Sequence, residues 1–337
     1  MNVLIIRWIN ICCISVFIMI LIGGTTRLTQ SGLSMVDWKP LLGIIPPINN
    51  AQWQASFNEY KKYPEYQKIN QFKHMNLSEY KSIYYWEYMH RLFGRLLGLL
   101  FIIPPILFFK KNYISKKMFL HCIVCMFIVT SQGLLGWFMV KSGLVDDPHV
   151  SHYRLTAHLF LAFLLMGYSY WLKFRLEKEK SDIPCVKSSC FHINMIFILY
   201  VIQVLFGAFI AGTKAGLLWN TFPLMEGRLI PDGLLVLEPL YDNFLNNMKM
   251  FQFCHRLIGT ALFLYAGLFF YTTRDEIYNK YTHFLFMLLL IQFYIGIMTL
   301  LLKVPVFLGV VHQGVAVLIL LMILHIKFLL SDTEPIN

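Results

Sequence analysis

Apolar residues fill eight long stretches of the chain, and shorter polar connections separate most of these stretches. About 20 apolar residues are enough for an α-helix to cross a bilayer. The pattern therefore predicts eight membrane-spanning helices, at residues 5–24, 86–108, 118–140, 155–173, 191–212, 252–272, 283–302 and 306–329. Two connections, 25–85 and 213–251, are too long for simple hairpins. Because they are rich in Trp, Tyr and Pro, we expect folded caps at these loops.

The composition agrees with a membrane protein, since 57% of the 337 residues are hydrophobic and only 14% are charged. The net charge of +11 is concentrated in three short connections, 110–117, 173–187 and 274–280. The positive-inside rule places these connections, and with them both termini, on the cytoplasmic side. This placement argues against nucleic acid as a partner. No arginine-rich presequence precedes the first span, which favours a bacterial cytoplasmic (inner) membrane.

A histidine motif occurs twice, as HRLFG at residues 90–94 and HRLIG at residues 255–259. Each copy lies near the start of a span that follows a long outer loop. Two spans further on, each copy is matched by one more histidine near a span start. Because each repeat unit holds four spans, both units share one orientation in the membrane. We therefore predict an all-α polytopic protein of two pseudo-symmetric four-helix bundles, residues 1–180 and 181–337.

The four span histidines are predicted to lie at similar depth, within about two turns of the outer ends of their helices. They are His90, His158, His255 and His312. Four positions after each comes a small residue, which leaves clearance for a flat ligand on the same helix face. These small residues are Gly94, Ala162, Gly259 and Ala316. Paired imidazoles are normal axial ligands of haem iron. The alternative for any one histidine is a polar side chain satisfied by neighbouring helices.

The two copies differ at one position that bears on chemistry. Glu87 precedes His90 by three residues, whereas the matching position in the second copy is Gln252, which cannot ionise. A carboxylate near the membrane interior is costly unless it is paired or used. We interpret the first bundle as reactive and the second as electron-transferring. The alternative is a structural ion pair of Glu87 with Arg91 or Arg95.

Four arginines have both a functional and a structural interpretation. Arginines near the outer boundary can pair with haem propionates, or they can contact lipid headgroups. They are Arg27, Arg91, Arg154 and Arg256.

Three spans carry glutamine and glycine four residues apart, which we interpret as helix packing through small residues. These pairs are Gln132 with Gly136, Gln203 with Gly207, and Gln292 with Gly296.

Over nearly its whole length, the chain resembles haem A synthase of the alphaproteobacterial and mitochondrial type. The segments that carry the resemblance are 23–34 (GGTTRLTQSGLS), 87–91 (EYMHR), 153–158 (YRLTAH), 220–225 (NTFPLM), 255–256 (HR) and 312–313 (HQ). The shorter segments are weak individually, and their shared order along the chain makes the match specific. Some members of this family carry paired cysteines in outer loops, and this chain has none in those loops.

The resemblance implies that His255 and His312 hold a permanent haem b, and that haem O binds as substrate between His90 and His158. Successive hydroxylations would convert the C8 methyl group of haem O to a formyl group, with loss of water. Glu87 matches the family's essential carboxylate. The implied partners are haem O synthase, cytochrome oxidase assembly factors and an electron donor or acceptor that the residues do not identify.

Two other functions remain open at this point. A di-haem b-type electron-transfer cytochrome explains the four histidines, and so does a haem-handling protein without catalysis. Neither explains why Glu87 is replaced by Gln252 in the second copy. A secondary transporter is less favoured, because no pair of broken helices occupies corresponding positions. The oligomeric state is also open, including a homo-oligomer.

Overall fold

The computed structural model describes residues 2–36, 44–144, 150–177 and 187–331 of the chain. Its long helices are α1 (Asn2–Leu28), α3 (Leu77–Lys110), α4 (Lys116–Gly143), α5 (His152–Glu177), α6 (Lys187–Thr213), α8 (Met248–Thr272), α9 (Asn279–Leu301) and α10 (Val306–Leu329). Two short helices, α2 (Asn50–Tyr60) and α7 (Asn243–Asn246), precede α3 and α8. All eight long helices are long and apolar enough to cross a membrane, so the predicted fold class is confirmed.

The long helices pack in two groups of four. In the first group α1 contacts α3 and α5, and α4 contacts α3 and α5. In the second group α6 contacts α8 and α10, and α9 contacts the same two helices. These contacts support the division into two bundles, which remains a prediction together with its symmetry and the cytoplasmic termini. The predicted boundary at residues 180 and 181 lies outside the described residues.

The two groups meet where α1 packs on α10 and where α5 packs on α6 and α10. Polar contacts cross the first of these seams, since Gln313 on α10 donates from Nε2 to the backbone oxygen of Ile20, at 3.1 Å. A Cβ atom added to Gly24 would lie only 2.6 Å from Oε1 of Gln313. A side chain at Gly24 would therefore require the Gln313 amide to move from its present position against α1.

The surface of the long helices that faces away from these contacts is apolar. Ile14, Phe127 and Leu264 are all more than half exposed, whereas Ile196 and Ile323 are fully buried between helices. Lipid tails solvate such exposed side chains as well as a protein core does. The helices are therefore held together mainly by close packing and by hydrogen bonds between them.

Helix α3 begins nine residues before the predicted span, at Leu77. Its start is fixed by a capping box, in which Asn76 and Glu79 each bond to the backbone of the other. The extra turns carry Tyr80 and Tyr84, which are buried outside the predicted span. His90 consequently lies between three and four turns from the start of its helix. The predicted depth of His90, within about two turns of the outer end of its span, stays a prediction, because the additional turns of α3 precede that span.

Both long outer loops are folded in the described residues. In the first cap, residues 44–76, Trp53, Phe57 and Tyr60 of α2 pack against Tyr80 and Tyr84 of α3. The ring centroids of Phe57 and Tyr80 are 5.0 Å apart, in a stacked arrangement. These aromatic contacts attach α2 to the outer end of α3.

In the second cap, residues 214–247, the buried Asn243 organises the loop. Its Oδ1 accepts from the backbone N–H groups of Val236 and Leu237, both at 3.0 Å. Its Nδ2 donates to the backbone oxygens of Leu237 and Leu240. The caps that the sequence predicts are thus present in these ranges.

Candidate functional site

Each of the four span histidines lies against a glycine of the neighbouring helix. A Cβ atom added to these glycines would lie 3.0–3.5 Å from Cε1 of the facing imidazole ring. The pairs are Gly23 with His90, Gly136 with His158, Gly207 with His255, and Gly296 with His312. A Cβ atom at Gly23, Gly207 or Gly296 would be closer to the ring than an ordinary contact, so these three glycines let the imidazoles lie between helices.

Glutamines four residues before three of these glycines bond to the histidine-bearing helices. Gln132 donates from Nε2 to the backbone oxygen of His158, at 2.8 Å. Gln292 donates in the same way to the backbone oxygen of His312, at 3.0 Å. Glutamine and glycine spaced by four therefore support the histidines, in addition to bringing helices together. Sequence reasoning attributed this spacing to packing alone and missed the support.

The third glutamine, Gln203, contacts the His255 ring itself. Nδ1 of His255 lies 3.1 Å from the backbone oxygen of Gln203, which can only accept a hydrogen bond. Nδ1 must therefore carry the proton, and in a neutral ring this leaves Nε2 with a free lone pair. The side-chain Nε2 of Gln203 donates to that nitrogen at 3.2 Å, so the amide must move aside before Nε2 of His255 can ligate a metal ion. His255 is thus held in the tautomer that a metal ligand requires.

Two of the four span histidines lie close to each other in the structure. The ring centroids of His255 and His312 are 6.5 Å apart, with an angle of 65° between the ring planes. Two imidazoles that ligate one metal ion through bonds of about 2 Å have their ring centres roughly 6 Å apart. The pairing of His90 with His158 stays a prediction.

The histidine pairs suit a group that brings most of its own ligands. Among the described residues, no group of three or more His, Cys, Asp or Glu side chains could hold a bare metal ion. Haem iron needs only axial ligands from the protein, and imidazole is a common one. Nδ1 is buried and without a hydrogen-bond partner in the described part of the chain for three histidines, His90, His158 and His312.

Glu87 lies on α3, one turn before His90, and its carboxylate is only 3% exposed. Oε2 accepts from the Ser34 hydroxyl and from the Met35 backbone N–H, both at 2.7 Å. Oε1 pairs with the Arg91 guanidinium at 2.6 Å. The ion pair that we considered as the structural alternative therefore exists. Ser34 is a further site residue that the sequence analysis did not single out.

The second copy reproduces this arrangement with a neutral side chain. Oε1 of Gln252 accepts from the Arg256 guanidinium at 3.0 Å, and its Nε2 donates to the Leu218 backbone oxygen at 2.9 Å. Arg256 also donates to the backbone oxygens of Trp219 and Thr221. In both copies, two side chains four residues apart bond to each other and to the loop that precedes the histidine-bearing helix. Only the first copy adds a negative charge.

The other two predicted cofactor-binding arginines also contact the protein. Arg27 donates to the backbone oxygens of Ala211 and Gly212 at the end of α6, at 2.8 and 3.1 Å. The guanidinium of Arg154 lies 4.1 Å from the centre of the Phe138 ring. The predicted contact of Arg27, Arg91, Arg154 and Arg256 with haem propionates stays a prediction.

A second buried carboxyl group, Glu65, lies in the first cap. It accepts from the Tyr60 hydroxyl at 2.9 Å, and that hydroxyl accepts from Asn70. Burial raises the pKa of Glu65 from its ordinary value of 4.5 to about 7, and the charge of Glu87 adds to the rise. The Tyr60 hydrogen bond and the charges of Lys214 and Lys73 act in the opposite direction, lowering this pKa.

We expect the first cap to be more stable at pH 5 than at pH 8. Between about pH 4.5 and pH 7 the folded chain keeps a proton on Glu65 that the unfolded chain releases. The free energy of unfolding therefore falls as the pH rises through this range and then levels off. Protease cleavage within residues 44–76, followed against pH, measures the effect. Glu65→Gln should make the rate of cleavage less dependent on pH. Glu59→Gln is the control, because it removes a more exposed ion pair and should leave the pH dependence as it is. An unchanged pH dependence in Glu65→Gln would contradict the prediction.

These features define a class of protein: an all-α membrane protein whose described residues include eight helices apolar enough to span a bilayer, with four span histidines that each lie against a glycine of a neighbouring helix. The model of the cytochrome oxidase assembly protein family matches residues 6–324. The chain belongs to this family.

Curated relatives cover almost the same length. The haem A synthase of Nitrosospira multiformis is 42% identical over 319 residues, which are 93% of this chain and 89% of the relative. The haem A synthase of Flavobacterium johnsoniae is 39% identical over 329 residues, 95% of each chain. That of a Wolbachia species is 38% identical over 309 residues, 91% of this chain and 90% of the relative. With the eight apolar helices, this membership confirms a multi-pass inner-membrane protein.

Proposed function

We propose that the chain is a haem A synthase, which oxidises the C8 methyl group of haem O to a formyl group. The observation that carries the proposal is the difference between two otherwise matched sites. Glu87 and Gln252 both bond to an arginine and to an outer loop, but only Glu87 can hold or release a proton. The haem A synthases that share about 40% identity with the chain support the same function.

Two successive hydroxylations and the loss of one water molecule give the formyl group, and an oxidant from outside the chain takes up the four electrons that the methyl carbon loses. In this proposal His90 and His158 hold haem O, the substrate, one turn below Glu87. The Glu87 carboxylate can accept a proton or stabilise positive charge that develops beside the methyl group. Arg91 and Ser34 keep the carboxylate oriented, since each bonds one of its oxygens.

His255 and His312 would hold haem b as a resident cofactor, and this haem supplies electron transfer when bound. The backbone oxygen of residue 203 would orient the His255 ring, and Gln292 would hold the helix of His312 through its backbone oxygen. We propose residues 1–180 as the substrate bundle and 181–337 as the haem b bundle. Haem O synthase is the proposed upstream partner, because it makes the substrate.

The test is haem extraction from cells that express this chain together with a haem O synthase. The host must lack a haem A synthase of its own, and chromatography then separates haem A, haem B and haem O. We expect haem A to appear only when the chain is present. If a folded, haem-loaded protein yields only haem B and haem O, the chain is not a haem A synthase.

A di-haem electron carrier is the second candidate, because the ion pair with Arg91 gives Glu87 a structural role that needs no catalysis. In that case electron transfer would depend on the four histidines, and its rate would not change when Glu87 is replaced by a residue that cannot ionise.

We expect Gly207→Ala to weaken haem binding at the His255 pair about tenfold or more. The added Cβ would lie 3.0 Å from the His255 ring, so the ring must shift, and overpacking of this kind costs roughly 1–3 kcal/mol. Gly136→Ala is the matched control, because its Cβ would lie at an ordinary 3.5 Å from His158. Haem titration into each purified variant measures both effects. Equal affinities in the two variants would contradict the steric argument.

A further inference from the structure

A groove of about 270 Å³ lies where the two groups of helices meet. One wall belongs to α5 of the first group, and the others belong to α6 and α10 of the second. Along α5 the groove runs from Phe160 to Trp171, a rise of about 16 Å. Phe160 and Leu164 are 41% and 44% exposed, so the groove opens on the apolar surface that faces lipid. A cavity of about 150 Å³ holds a benzene ring, so this groove has room for a segment of a lipid chain.

The groove offers a ligand apolar contacts and few hydrogen bonds. Of the described residues that line it, only Tyr168 and Tyr200 carry a hydroxyl group. The Tyr200 hydroxyl donates to the backbone oxygen of Ala316 at 2.7 Å, and the Tyr168 hydroxyl lies 2.7 Å from Nδ1 of His121. Both hydroxyls are thus already bonded within the protein. A ligand that buried polar groups here would leave them largely unpaired, so the groove suits a hydrocarbon chain.

Two basic side chains lie at the end of the groove that the positive-inside rule assigns to the cytoplasm. Arg175 and Lys327 belong to the last turns of α5 and α10. The Arg175 guanidinium lies 5.5 Å from the centre of the Trp171 ring, and Nζ of Lys327 lies 4.4 Å from the centre of the Phe197 ring. Both rings line the groove, so the two cations lie beside its wall.

These cations contact aromatic rings but have no anion to pair with in the described part of the chain. No carboxylate within the described ranges forms an ion pair with Arg175 or Lys327. Nε of Arg175 is buried and makes no hydrogen bond there. A phosphate group would supply the missing acceptors. Basic residues beside a cleft between transmembrane helices on the cytoplasmic side are typical of sites for anionic lipid headgroups.

We propose that one anionic phospholipid of the cytoplasmic leaflet occupies this groove. An acyl chain lies along the aromatic wall, and the phosphate binds Arg175 and Lys327. Because the walls belong to both groups of helices, the bound lipid joins the two halves where α5 meets α6 and α10. The inference goes beyond the proposed function and does not depend on it.

The test uses the full-length chain in detergent, freed of its own lipid and mixed with phosphatidylglycerol or phosphatidylcholine that carry the same acyl chains. Native mass spectrometry gives the affinity for each lipid. We expect phosphatidylglycerol to bind at least about tenfold more tightly, because only its headgroup has a net negative charge. Arg175→Gln and Lys327→Gln should each weaken this binding about fivefold and leave the binding of phosphatidylcholine unchanged.

Lys280→Gln is the matched control. Nζ of Lys280 also lies over an aromatic ring, 4.9 Å from the centre of Tyr281, but Tyr281 does not line the groove. Its removal should not change the affinity for phosphatidylglycerol. Val204→Phe tests the chain site, since the larger side chain fills the groove and should weaken the binding of both lipids. The unfolding temperature is a second readout, which phosphatidylglycerol should raise in the wild-type chain and raise less in Lys327→Gln.

Three outcomes would overturn the proposal. Equal affinities for the two lipids would show that the groove does not recognise headgroup charge. Unchanged affinity for phosphatidylglycerol in both glutamine variants and in Val204→Phe would place the lipid elsewhere. If decylubiquinone binds more tightly than phosphatidylglycerol and loses its binding in Val204→Phe, the occupant is a quinone instead. None of these outcomes affects the proposed function, which the formation of haem A tests separately.

Discussion

Replacing Glu87 with glutamine should lower the formation of haem A by at least about 100-fold while both sites still bind haem. The amide is nearly the same size as the carboxyl group, and the chain already carries this amide in the equivalent place. Gln252 coexists there with Arg256 and an outer loop. The variant should therefore fold, and what it loses is the charge and the exchangeable proton of the carboxyl group.

Haem A measured by chromatography, with the haem content of the purified protein measured in parallel, checks this prediction. Gln252→Glu is the control, because the second site should gain no activity from a carboxyl group that lies beside a resident haem. Unchanged production of haem A in Glu87→Gln would remove Glu87 from the mechanism and leave it as a structural ion-pair partner.

Arg91→Leu should destabilise the protein by about 3–5 kcal/mol, because it leaves the buried Glu87 carboxylate without its cation. Arg256→Leu should cost less, about 1–3 kcal/mol, since its partner Gln252 is neutral. Arg91 is 8% exposed and Glu87 is 3% exposed, so water cannot replace the lost partner easily.

Thermal unfolding in detergent compares the two variants, and the double variant Arg91→Leu with Glu87→Gln separates the causes. Removing the charge together with its partner should restore part of the stability lost in Arg91→Leu. Equal losses for Arg91→Leu and Arg256→Leu would show that the Glu87 charge is not what makes the first pair important.

The number and order of the spans could be predicted because each is long and apolar enough to be recognised without its neighbours. The start of α3 could not be predicted from hydropathy. It depends on the Asn76–Glu79 capping box and on Tyr80 and Tyr84, which pack on α2 outside the predicted span. A capping box is visible in sequence, but where it lies relative to the membrane is not.

The four histidines could be predicted because the chain repeats their surroundings. Their supports could not, since glutamine and glycine spaced by four also occur in ordinary helix packing. What distinguishes Gln203 is the histidine across from it on α8, and that pairing is a contact between separate helices. Ser34 ends a segment that carries the family resemblance, but its bond to Glu87 could not be predicted, because that bond depends on how the loop after α1 folds back onto α3.

The seam between the two groups of helices limits how far the repeated halves can evolve separately. Arg27 of the first half neutralises the negative end of α6 in the second, and Gln313 of the second half bonds to α1. Lipid tails offer no substitute for these partners, so each half depends on the other to satisfy the same groups. Because both halves belong to one chain, they are always present in equal numbers. They can also differ at single positions, as Glu87 and Gln252 do, which is impossible for two identical subunits.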